Sequence, residues 1–210
     1  RDVAVTGVQT CALPISLAYA LSSLAGFVDA IGFIALGGFF VSFMSGNTTR
    51  AAVGIVERSS AGLVAAGLIV TFVVGVILGS LLGRAGKDRR KTALLVVAAL
   101  LSIAAALASL GFARATIVAA TLAMGAENTV FERDGEVQIG LTYMTGTLVK
   151  LGQRVAGALA GGERWAWIPY LLLWLGLLVG AVAGAAMYPL LGLQALWIAA
   201  VVAAALAFVA

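Results

Sequence analysis

The heptad V-S-F-M-S-G-N at 41–47 returns about one hundred positions later as L-T-Y-M-T-G-T at 141–147. Every exchange keeps size and polarity, Met44 and Gly46 recur unchanged as Met144 and Gly146, and Arg50 is matched by Lys150. Moving outward, Gly75, Gly79 and Gly83 recur as Gly176, Gly180 and Gly184 in the apolar block that follows each copy. In the block that precedes each copy, Gly26 and Asp29 stand opposite Gly125 and Asn128. Three matched sets in the same order indicate an internal repeat of about one hundred residues. The halves are 17–110 and 111–210.

The chain carrying this echo is 62% hydrophobic and 10% charged, with a mean hydropathy of +1.11. Soluble domains are about a quarter charged, so an ordinary cytoplasmic enzyme is excluded, and a nucleic-acid-binding protein with it. There is no His, and the single Cys is Cys11. Zinc sites, haem ligation, Cys–His pairs and Ser–His–Asp triads therefore lack their parts. No enzymatic activity, metal or cofactor is expected.

A spanning helix needs about twenty apolar residues. Six blocks meet that need: 17–36, 61–83, 92–110, 114–131, 166–188 and 191–210. Two more, 37–56 and 137–158, have the length but carry polar clusters near their middles, S-G-N-T-T-R and T-G-T-L-V-K. An exposed Arg or Lys at mid-bilayer costs about 2.5–3.5 kcal/mol, so these two segments must face protein or water, or be interrupted. The expected fold class is an all-α polytopic membrane protein of two repeats, with six spanning helices and two interrupted or re-entrant segments. Three spans per half invert the second half relative to the first, as in many secondary transporters; four per half leave the halves parallel. The loop 84–91 holds five basic residues and one acid, whereas its repeat-mate around 185–192 is uncharged. Basic loops stay in the cytoplasm, so that asymmetry favours inversion, with both termini cytoplasmic.

The stretch 5–15, V-T-G-V-Q-T-C-A-L-P-I, is unlike the rest and matches a translated sequencing-adapter oligonucleotide. Residues 1–16 are expected to be non-native, in which case Cys11 says nothing about redox compartment.

Chemistry concentrates at the repeat. Asp29 is the only acid of the first block and sits near the bilayer midplane, where a carboxylate is costly without a use; Asn128 is its match. Gly46 and Gly146 are expected to break their helices and free backbone groups for a ligand. Ser45, Asn47, Thr48, Thr145 and Thr147 supply small polar groups, while Met44 and Met144, with Phe43 and Tyr143, supply apolar walls. Arg50, Glu127 and Lys150 are candidate charge partners, Glu127 lying near enough to the block's end to reach interfacial water. The glycine stripes are expected to be packing surfaces, either within the chain or in a homo-oligomer. Trp165, Trp167 and Tyr170 suit an interfacial anchor.

The strings A-G-F-V-D-A-I-G-F from Ala25, F-V-S-F-M-S-G-N-T-T-R from Phe40 and T-Y-M-T-G-T-L from Thr142 resemble the YoaK family. These are small bacterial inner-membrane proteins built around a domain of unknown function. The resemblance runs from about Leu17 to the end and implies a polytopic bacterial inner-membrane protein, without an activity to carry over. Related sequences tend to show Gln-Asn where this chain has Glu127-Asn128. The expectation is a small-solute transporter or permease with a midplane polar site between the repeats, its partners being the bilayer and a small polar or ionic solute. The alternative is a non-transporting scaffold or partner-binding protein, with packed polar centres and no cavity. An intramembrane enzyme is the weakest reading, because no His is available as a base.

Overall fold

A computed structural model of the chain describes residues 12–133, 136, 137 and 141–209. Residues 1–11 of the stretch set aside above lie outside the described residues, and residues 12–16 open the first helix. Eight α-helices run through the described residues: α1 Ala12–Ala35, α2 Met44–Val56, α3 Ser60–Ala85, α4 Arg89–Ser109, α5 Ala113–Glu127, α6 Met144–Leu159, α7 Ile168–Leu191 and α8 Leu196–Val209. Between α5 and α6, β1 Glu132–Arg133 pairs antiparallel with β2 Glu136–Val137.

Four stretches are long and apolar enough to cross a bilayer: Ser16–Ala35, Ser60–Ala85, Arg89–Ser109 and Ile168–Val209. The last has 42 residues, about twice what the hydrocarbon core of about 30 Å requires. It is divided by a 3-10 turn, Gly192–Ala195, where Gly192 takes φ 57°, a left-handed conformation that favours glycine. The outer face of α3 exposes Val70, Val73, Ile77 and Leu81; a stripe this apolar belongs against lipid, not water. The protein is a multi-pass α-helical membrane protein.

The two polar-centred blocks are each a loop followed by a short helix. α2 has 13 residues and α6 has 16, or about 20 and 24 Å at about 1.5 Å per residue, less than the hydrocarbon core; α5, with 15, and α8, with 14, are no longer. Gly46 and Gly146 do not break these helices. Both lie in the first turn, and the interruption comes earlier, at residues 36–43 in the first half, where Gly37 and Gly38 take φ 63° and 107°. Gly46 instead makes room for aromatic rings: a Cβ there would stand 2.7 Å from Phe43 and 2.8 Å from Phe40.

Backbone contact through glycine builds the bundle. α7 lies along α1, and a Cβ at Gly180 or Gly184 would collide with the carbonyl oxygens of Ser23 and Phe27. α3 lies along α5 in the same parallel sense, with Gly75 against the carbonyl of Leu122 and Gly79 against Ala126. Gly26 meets the Leu177 carbonyl and Gly125 that of Phe72. By contacts, Gly75 thus plays on α5 the part that Gly180 plays on α1, one helical turn from the sequence match of Gly75 with Gly176. The link between α6 and α7 is longer than that between α2 and α3, which lets α7 slide by a turn. The stripes are occupied inside the chain, so an oligomer needs another surface.

Candidate functional site

Residues 36–43 fold back alongside α1 because Asp29 holds them there. Its Oδ1 accepts from the backbone N–H groups of Val41 at 2.8 Å and Ser42 at 2.7 Å. Asn47, fully buried, fastens the same loop from the other side: its Oδ1 accepts from the Phe40 N–H at 3.0 Å and its Nδ2 donates to the Phe40 carbonyl at 2.7 Å. A loop deep in an apolar bundle must find partners for its peptide groups, and these two side chains supply them. In the second half the Asn128 Oδ1 accepts from the Thr142 hydroxyl at 3.1 Å, and its Nδ2 donates to the Met124 carbonyl at 2.9 Å.

These contacts shape a cavity of about 550 Å³. Its walls come from the second half of α1, the loop before α2, the start of α6, and α7. Asp29, Ser42, Phe43, Thr142 and Met144 all line it, so the two motif-bearing segments, about one hundred positions apart, contribute to one space. Among the described residues Asp29 is the only charged side chain on the wall, and Ser42 and Thr142 are the only other polar ones.

Several expected site residues lie elsewhere. Met44, Ser45, Gly46, Asn47, Thr48, Asn128, Tyr143, Thr145, Gly146 and Thr147 do not line the cavity. Asn47 and Asn128 act one step behind it, through the bonds above. Thr48 and Thr147 turn their hydroxyls to the carbonyls of Met44 and Tyr143, one turn back, a habit of Thr in apolar helices. Tyr143 is 77% exposed and no wall. Phe33 and Phe40 were missed as lining residues, as were Ser42 and Thr142 within the quoted motifs. The Gly37-Gly38 pair was the sequence signal for the loop that places Phe40 and Ser42 near Asp29.

The charge partners do not pair as expected. Arg50 stacks on Phe39, 4.9 Å from the ring centroid, beside Gly38, and Lys150 is exposed. Among the described residues neither forms an ion pair with Asp29 or Glu127. Glu127, the last residue of α5, is fully buried, and neither of its oxygens has a hydrogen-bond partner among the described residues. The ion pairs belong to Glu132 beyond α5. It accepts from Ser80 Oγ at 2.7 Å and Arg84 Nη2 at 3.2 Å, and it pairs with Arg89. Burial alone would raise the Glu132 carboxyl, but the hydrogen bonds from Ser80, Arg89 and Arg84 outweigh it and hold the group down at about 2. This clasp ties the end of α3 and the start of α4 to the segment after α5.

Residues 17–209 match a family described as protein of unknown function (DUF1275). Among relatives, the UPF0700 transmembrane protein RA0705 of Rhizobium meliloti (strain 1021) is 39% identical over 197 residues, 88% of this chain and 80% of that protein. The UPF0700 transmembrane protein YoaK of Bacillus subtilis (strain 168) is 30% identical over 144 residues, 64% of each chain. No solved structure matches. The chain belongs to the DUF1275 family, which includes YoaK, and it is a transmembrane protein of that family.

Proposed function

We propose that the protein is a non-enzymatic permease of the bacterial inner membrane that moves a small solute through a midplane site between two inverted repeats. The observation that carries this reading is the cavity lined jointly by Asp29, Ser42 and Phe43 from one half and Thr142 and Met144 from the other. Sites built where interrupted segments of two repeats meet are a hallmark of secondary transporters. The scaffold alternative expects a packed centre, and the cavity speaks against it.

Helix directions support six spans over eight. Trp197, at the start of α8, donates from Nε1 to the Ser109 hydroxyl at the end of α4 at 3.2 Å, so these repeat-mates run antiparallel. That is the relation required if α2 and α6 each return to the side they came from. The Glu132 clasp brings the ends of α3 and α5 and the start of α4 together. In the same scheme the basic loop 84–91 lies on the side of both termini, and the positive-inside rule makes that side cytoplasmic.

Cysteines introduced singly at Ser42 and Thr142, with Cys11 replaced, test the reading in oriented vesicles. A membrane-impermeant thiol reagent is expected to modify both positions, with access from each face. Modification of neither position would overturn the permease and return the protein to the scaffold reading.

A further inference from the structure

The bonds that Asp29 makes to Val41 and Ser42 both end on Oδ1 as acceptor bonds. An asparagine supplies the same acceptor, and at the matching place in the second half Asn128 does so, receiving the Thr142 hydroxyl. For these two bonds the fold needs an oxygen at position 29 and not a charge; the Ser42 hydroxyl and the Phe43 N–H also approach the carboxyl as donors. Yet an ionisable carboxyl is what the first half places there, at a depth where charge is costly. No Lys or Arg stands within ion-pair distance of it among the described residues, the ion pairs found all converging on Glu132.

The rest of the wall explains what the charge is for. Phe33, Phe40 and Phe43 form a continuous aromatic flank: the first two rings are 4.9 Å apart and tilted by 41°, the next pair 5.1 Å apart and edge-on at 80°. All three line the cavity with Asp29, and Met144 and Leu177 complete an apolar surround. Ring faces attract cations, and do so most strongly where water is excluded. The starts of α2 and α6 add partial positive charge, about half a unit each and spread over several amides. The carboxylate concentrates its charge at the wall, where a ligand makes contact. Phe33 and Ile34 of the wall are partly exposed, so the cavity is open at this apolar edge and admits an apolar body.

We propose that the cavity binds an amphipathic organic cation, an amine or quaternary onium with an aromatic or alkyl body, its charged centre against Asp29 and its body along Phe33, Phe40 and Phe43. This rests on the permease reading for the location of the site and adds the class of solute it takes. Tetraphenylphosphonium and tetraphenylborate test it, being matched in shape and opposite in charge. Equilibrium binding of each to the purified full chain in detergent is expected to favour the phosphonium by at least about tenfold. Asp29→Asn keeps the acceptor for the Val41 and Ser42 N–H groups, and the folded variant, checked by its unfolding temperature, should lose about tenfold or more in phosphonium affinity. Phe43→Leu, which keeps an apolar side chain but removes the ring, should weaken the cation several-fold. Equal binding of the two ions, or phosphonium affinity untouched in Asp29→Asn, overturns the solute class even if Ser42 and Thr142 prove accessible. Selective cation binding with Ser42 and Thr142 closed to thiol reagents would uphold the class and overturn the permease alone.

Discussion

At Glu127 the second half places a carboxyl at the position the first half gives to Val28, the residue before Asp29 as Glu127 is the residue before Asn128. Val28 is 1% exposed and Glu127 0%, so both are core positions, and Glu127 brings two oxygens with no partner among the described residues. A buried polar group left unpaired costs about 1–3 kcal/mol. Glu127→Met keeps the volume and removes the penalty, and it is expected to raise the unfolding temperature in detergent by an amount equivalent to about 1–3 kcal/mol. A lowered temperature would mean that the carboxyl is held by a group outside the described residues. Glu132 is the opposite case. Its folded carboxyl stands at about 2 against an ordinary 4.5, so its stabilisation is complete above about 4.5 and is lost as pH falls towards 2. The loss is at most about 3 kcal/mol, less whatever solvent screens at Arg84, whose side chain is 59% exposed. Denaturant unfolding between pH 5 and 2.5 is expected to show this decline, and Glu132→Gln should flatten it.

Helices meet here through missing side chains. A Cβ at Gly180 would run into the Ser23 carbonyl, and backbone on both sides leaves nothing flexible to give way. Gly180→Val is expected to destabilise by about 3 kcal/mol or more, read as loss of monodisperse protein on size exclusion. Gly152, in α6, has nothing within 4 Å of its Cβ position; Gly152→Ala should be neutral or stabilising by up to about 1 kcal/mol. Equal effects at the two sites would dissociate the glycines from packing. The stripes were legible in sequence because small residues at helical spacing have few other uses in membranes. Which turn met which was not, since sliding α7 along α1 depends on the link before it. The interruption was misplaced for a similar reason. Ser45, Gly46 and Asn47 look like a breakpoint in sequence, whereas the apolar run L-G-G-F-F-V-S-F at 36–43 hides a loop whose peptide groups are satisfied from a distance by Asp29 and Asn47.

At the scale of the whole molecule, the proposed repeat matches α1 with α5, α2 with α6, α3 with α7 and α4 with α8, and the glycine contacts join α1 to α7 and α3 to α5. The sequence echo is the start of the proposed scheme, and Met44, Gly46, Met144 and Gly146 do sit in the first turns of two short helices. It did not disclose which motif residues face inward: Ser42, Phe43, Thr142 and Met144 do, while Ser45, Thr48, Tyr143 and Thr145 turn outward. In a helix that begins at the motif itself, a shift of one residue changes the face by about a quarter turn. Cysteines at both Ser42 and Thr142, in native membranes and with Cys11 replaced, probe the meeting of the halves. A short bifunctional thiol reagent should join them within a single chain, seen by mass spectrometry as one linked peptide pair. Each position reacting singly with no linked pair formed, or linkage only between separate chains, would contradict a shared cavity between the repeats.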